Sequence, residues 1–152
     1  MPIPDLNAFG VLPPGYHICS LQEIEERFCN SPQRDHLWTQ FGAFLQWMNQ
    51  QVHCPSVLFI DGSFTSDKSV PQDIDVVADL SGLPDAGVVH WFGIYANRQT
   101  QIKQQYSVHF FIYSPTIGPH DLRQFFQYVR TDEALRRGMD PSDRKGLLEV
   151  HL

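Results

Sequence analysis

The sequence predicts an α+β domain, a small mixed β-sheet flanked by helices on one side, folded as one unit of 152 residues. Three observations predict it. The run after Ser31 has the apolar spacing of a helix packed on a core, while 56–61 and 106–113 have the composition of buried strands. With 42% hydrophobic and 18% charged residues, the chain has enough apolar surface to offset its ordering entropy. No internal repeat or heptad pattern interrupts this reading.

The elements follow in order. Pro2, Pro4, Pro13 and Pro14 with Gly10 and Gly15 exclude a helix and predict an extended arm over residues 1–16, lying across the domain surface. Ser20-Leu-Gln-Glu23 has the capping-box spacing, which predicts a helix from Leu21 to about Phe28. Ser31 caps a second helix with Pro32 at its first position, where the missing N–H costs nothing. Leu37, Phe41, Phe44, Leu45, Met48 and Val52 then mark the apolar face of a helix from about Gln33 to Gln51.

Ser56–Asp61 reads as a buried strand ending at Gly62-Ser63, and Asp73–Asp79 as a second strand. Alternation puts Asp73, Asp75, Val77 and Asp79 on one face and Ile74, Val76 and Ala78 on the other. Ser81–Gly87 is punctuated as loop, and Val88–Tyr95 is expected to be a third strand or an irregular segment. Tyr106–Tyr113 is a strand, rich in aromatic and β-branched residues and followed by Ser114-Pro115. Pro119 opens another helix with Leu122, Phe125, Phe126 and Val129 at helical spacing. Arg136–Lys145 is polar and predicts a mobile segment, and Gly146–Leu152 predicts a final edge strand open to pairing with a second copy.

Composition limits the function classes. A net charge of -6 disfavours sequence-independent DNA binding, which depends on Lys and Arg neutralising phosphates. No apolar run of about 18 residues occurs, so no membrane span is expected, and the N-terminus lacks a signal-peptide layout; the expected location is cytoplasmic. Cys19, Cys29 and Cys54 show no paired spacing and read as free thiols. The seven histidines show neither H-E-x-x-H nor H-x-E spacing, which leaves a zinc hydrolase or deaminase without support.

The chemistry is concentrated in Phe59-Ile-Asp-Gly-Ser63 and Asp73-Ile-Asp-Val76. Gly62 allows close backbone approach to a ligand, and Ser63 with the following amides suits phosphate oxygens. Asp73 and Asp75 project from one face of a strand and can share a divalent ion; with phosphate oxygens they form a hard site suited to Mg²⁺ or Mn²⁺. Lys68, in the gap, is a candidate phosphate contact, although a lone loop lysine is more often only solvated. Trp91 and Tyr95 are candidates for a nucleobase pocket, with a core role as the commoner alternative.

A buried strand, Gly62-Ser63, a short gap and Asp73-Ile74-Asp75 resemble the signature of the minimal nucleotidyltransferases of the DNA polymerase β-like superfamily. Leu12-Pro-Pro-Gly15, Glu25-Glu-Arg-Phe28, Asp61-Gly-Ser-Phe64 and Lys145-Gly146 extend the likeness to short prokaryotic and phage nucleotidyltransferase-like proteins. The resemblance implies that the Gly-Ser turn holds the β- and γ-phosphates of a nucleoside triphosphate, and that Asp73 and Asp75 hold the metals as catalytic residues. It further implies transfer of a nucleoside monophosphate to a protein or RNA hydroxyl, in a toxin–antitoxin or phage-defence setting.

That pattern also expects a third carboxylate on a later strand, and Tyr106–Tyr113 contains none; the polar residue in step there is His109. Histidine brings no negative charge and prefers softer metals than Mg²⁺. Either Asp79 or Asp61 supplies the group, or the protein binds nucleotide without efficient transfer. The alternative reading is a catalytically inactive nucleotidyltransferase-fold protein that acts as a partner-binding or inhibitor module.

Overall fold

The computed structural model describes residues 2–116 and 121–152. Strand β1 (Gly15–Ile18) leads into α1 (Leu21–Phe28), which carries the predicted capping box. Ser20 Oγ accepts from the Glu23 amide at 3.1 Å, and Glu23 Oε2 accepts from the Ser20 amide at 2.7 Å. Helix α2 (Pro32–Asn49) is capped by Ser31, whose Oγ accepts from the Arg34 amide at 3.2 Å. Leu37, Phe41, Phe44 and Met48 are buried along it, whereas Val52 lies beyond its end and is exposed.

Strand β2 (Val57–Asp61), a 3₁₀ turn at Ser63–Thr65 and β3 (Ile74–Asp79) follow. The next element is a 22-residue helix, α3 (Asp85–Tyr106), not the strand or irregular segment expected at Val88–Tyr95. Val88, Trp91, Ile94 and Ile102 are buried on one side of it at helical spacing. Gly87, Gly93 and the β-branched Val88 and Val89 lower local helix propensity, and packing against the sheet overrides it. Trp91 belongs to the core, its indole N–H donating to the His53 carbonyl, so it forms no nucleobase pocket.

Strand β4 (Val108–Tyr113), the one-turn α4 (Leu122–Phe125), α5 (Thr131–Arg137) and β5 (Gly146–His151) complete the order. The helix start expected at Pro119 lies outside the described residues, and Phe125 is exposed rather than part of an apolar face. The sheet runs β1-β5-β2-β3-β4, with β1/β5 and β3/β4 parallel and β5/β2 and β2/β3 antiparallel. The terminal strand is therefore interior, between β1 and β2, and not an edge. Both of its faces are buried, and this holds it there: Leu147 packs on one side, Leu148 and Val150 on the other.

Two apolar layers enclose the sheet. Leu58, Ile60, Ile74, Val76, Val108 and Phe110 pack with residues of α1, α2 and α3. Phe59, Val77 and Leu147 pack on the opposite face with Tyr16, Phe111, Leu122 and Phe126, so helices are not confined to one side. Two further expectations change. Val11 and Leu12 are buried and Gly15 and Tyr16 already belong to β1, so 1–16 is not a surface arm throughout. The 136–145 segment is anchored: Met139 is buried with Val11 and Ala134, Tyr128 bridges Arg144, and the Lys145 amide donates to the Gln127 carbonyl at 2.7 Å.

Candidate metal and phosphate site

The end of β2 and the starts of β3, β4 and β5 meet at one end of the sheet. Antiparallel pairing sets Asp61 opposite Asp75, and parallel pairing sets His109 beside Asp75. Because side chains alternate, all three project on the face away from the main core, which β2 fills with Leu58 and Ile60. Asp73, one residue before β3, completes the group. One ligand atom each from Asp73, Asp75 and His109 lie within 4.8 Å of one another. His109 Nδ1 is 3.3 Å from Asp75 Oδ1, and the His109 ring lies against Phe111 with centroids 4.3 Å apart.

Gly62 closes the other side. Its φ is +86°, and a β-carbon there would overlap Asp75 Oδ2, so only glycine brings the turn this close to the carboxylate. Ser63 begins the 3₁₀ turn, whose N-terminus carries no side-chain cap. The turn is braced from beneath by Arg34, only 3% exposed. Its guanidinium donates to the carbonyls of Phe28 (3.3 Å), Phe64 (2.6 Å), Ser66 (2.8 Å) and Lys68 (2.7 Å). A second arginine, Arg137 of α5, ties the same loop to the N-terminal segment, donating to Asp67 Oδ1 at 2.6 Å and to the Phe9 carbonyl at 2.8 Å.

Two lysines reach the carboxylates, and neither was singled out for this in the sequence. Lys103, near the end of α3, stands 3.4 Å from Asp73 Oδ2. Lys145, just before β5, pairs with Asp61, which is 2% exposed. Burial pushes the Asp61 carboxyl upward, against the pull of Lys145. The Lys145-Gly146 pair was the available signal for the second contact; for Lys103 the signal was hidden with the rest of α3. Lys68 lines a cleft of about 360 Å³ with Arg27, Arg34 and Asp67.

The two residues that could replace a third carboxylate are both committed elsewhere. Asp79 sits four residues along β3 from Asp75, a rise of about 13 Å, and accepts from the Ser81 amide and hydroxyl at 2.9 and 2.6 Å. Asp61 is adjacent but neutralised by Lys145. The donor set converging on one point is therefore two carboxylates and one imidazole, beside an uncapped turn. That set suits a divalent cation.

The model of a family described as "Family of unknown function (DUF6932)" matches residues 4–151, and the chain belongs to that family. No curated protein and no solved structure matches it. No helix among the described residues is long and apolar enough to cross a membrane.

Proposed function

We propose that this member of the family is a metal-dependent nucleotide-binding protein of nucleotidyltransferase type. A nucleoside triphosphate would lie on the Gly62-Ser63 turn, and Asp73 and Asp75 would hold Mg²⁺ or Mn²⁺ against its phosphates. The observation that carries this reading is the convergence of Asp73, Asp75 and His109 within 4.8 Å beside a turn that only Gly62 permits. The bound cation would neutralise phosphate charge. Gly62 supplies the close approach, Ser63 and the uncapped amides receive phosphate oxygens, and Arg34 keeps the turn in place. Lys103, which stands beside Asp73, would add a positive charge to the same phosphates.

The reaction this site would run is transfer of a nucleoside monophosphate to a protein or RNA hydroxyl. The acceptor hydroxyl oxygen would form a bond to the α-phosphorus while the bond from that phosphorus to the α–β bridging oxygen breaks, the hydroxyl proton passing to solvent and pyrophosphate leaving; Asp73 and Asp75 would hold the cation that neutralises the charge on the phosphates. A second reading is favoured by two observations: β4 offers His109 where a third carboxylate would stand, and Lys145 pairs with Asp61. On that reading the fold binds a partner and runs no chemistry.

Calorimetric titration with each nucleoside triphosphate in Mg²⁺ or Mn²⁺, beside an Asp73→Ala/Asp75→Ala variant, separates the two. Binding that requires both the metal and the aspartates is expected. Absence of binding to every triphosphate in both metals rejects the nucleotide reading and leaves the partner-binding module.

A further inference from the structure

We infer that His109 is a direct metal ligand, and that the Asp73/Asp75/His109 site selects a first-row transition-metal ion such as Mn²⁺ over Mg²⁺. The inference rests on the same carboxylate site as the nucleotide reading and names the cation that it takes.

Position comes first. The β3/β4 register places His109 directly beside Asp75, and a ring nitrogen joins one oxygen from each aspartate within 4.8 Å. The strand backbone fixes the direction of the side chain, and contact with Phe111 at 4.3 Å between centroids restricts the ring. Near-contact of the Gly62 backbone with Asp75 closes one flank of the site.

Chemistry then discriminates between ions. Mg²⁺ is bound best by oxygen in near-ideal octahedral geometry and gives up its water reluctantly. Replacing an anionic oxygen with a neutral imidazole nitrogen removes charge that Mg²⁺ depends on, and Lys103 beside Asp73 reduces the negative field further. An imidazole nitrogen gains bonding with first-row transition ions, whose affinity for mixed nitrogen and oxygen sites rises from Mn²⁺ towards Cu²⁺. Three protein ligands also leave positions open for water or phosphate oxygen. The third residue, read only as a missing carboxylate, would weaken the site; read as a ligand, it changes which ion binds.

The test uses the intact chain and metal alone, without nucleotide. Mn²⁺ binding is followed by loss of the free-ion electron paramagnetic resonance signal, with Mg²⁺ as competitor, on wild type, His109→Ala and His109→Asp. Circular dichroism confirms that each variant is folded. The wild type is expected to bind Mn²⁺ and retain it in a tenfold excess of Mg²⁺ (about 1.4 kcal/mol of discrimination). His109→Ala should weaken Mn²⁺ at least about tenfold, since even outer-shell changes cost that much. His109→Asp should keep Mn²⁺ binding while letting Mg²⁺ compete. Undiminished Mn²⁺ affinity in folded His109→Ala, or displacement by a tenfold excess of Mg²⁺ in wild type, overturns the assignment, as does an absence of Mn²⁺ binding. Should His109→Ala lie unfolded, the His109→Asp competition decides alone. The nucleotide titration fails or succeeds independently, so loss of one reading is not mistaken for loss of the other.

Discussion

The α-carbon of Gly62 faces the carboxylate of Asp75 so closely that a β-carbon would overlap Oδ2, at a backbone φ of +86°. Two penalties thus fall on any other residue: a left-handed conformation and displacement of the Asp75 carboxylate, one of the candidate metal ligands. Gly62→Ala should cost about 1–3 kcal/mol from the backbone conformation alone and should abolish metal-dependent triphosphate binding. Urea denaturation and calorimetry read the two effects; a variant that binds like wild type would show that the close approach is unnecessary.

Asp61 and Lys145 form an ion pair that joins the end of β2 to the start of β5. Because Asp61 is 2% exposed, Lys145→Met strands a buried charge and should lower stability by about 3–5 kcal/mol. Asp61→Asn in the same chain removes the stranded charge, so the double variant should recover much of the loss. A double variant no more stable than Lys145→Met would mean that the lysine acts through packing and not through Asp61.

Arg34 satisfies carbonyls at both ends of the loop that follows Gly62, those of Phe64 at 2.6 Å and Lys68 at 2.7 Å among them. Arg34→Met keeps much of the volume and leaves these acceptors without their donor, with an expected loss of at least about 2 kcal/mol. Amide exchange at Thr65 and Ser66 should accelerate more than exchange in α1. Equal acceleration across the chain would indicate general destabilisation instead of a loosened loop.

Asp121 forms a two-pronged pair with Arg123, at 3.0 Å to Nε and 2.8 Å to the terminal nitrogen, and Arg123 lies over the Tyr113 ring at 3.7 Å. The side-chain hydrogen bond to Arg123 is the main reason that the Asp121 carboxyl is held below its ordinary range. A group depressed in the folded state contributes fully above its unfolded pKa, about 3.9 for aspartate, and loses that contribution as pH falls through the folded value. Urea midpoints should therefore fall with acidity less steeply in Asp121→Asn than in wild type. Parallel pH profiles for the two proteins would remove Asp121 from the acid sensitivity.

The parts legible from sequence were those written in local spacing. Ser20 and Glu23 marked α1, Ser31 and Pro32 marked α2, and alternation at 73–79 put Asp73 and Asp75 on one face of a strand. His109 was legible as the residue in step with that face. Helix α3 was not, although Val88, Trp91, Ile94 and Ile102 have helical spacing, because glycines and β-branched residues obscured a pattern that only packing against the sheet makes decisive.

The sequence by itself determined the capped helices, the glycine turn and the paired aspartates, because caps, turns and side-chain alternation act within a few residues. Tertiary structure alone decided that Lys103 stands beside Asp73, that Lys145 neutralises Asp61 across 84 residues, and that β5 lies inside the sheet. Strand order follows from burying both faces of a strand at once, and that requirement is met only when distant segments meet.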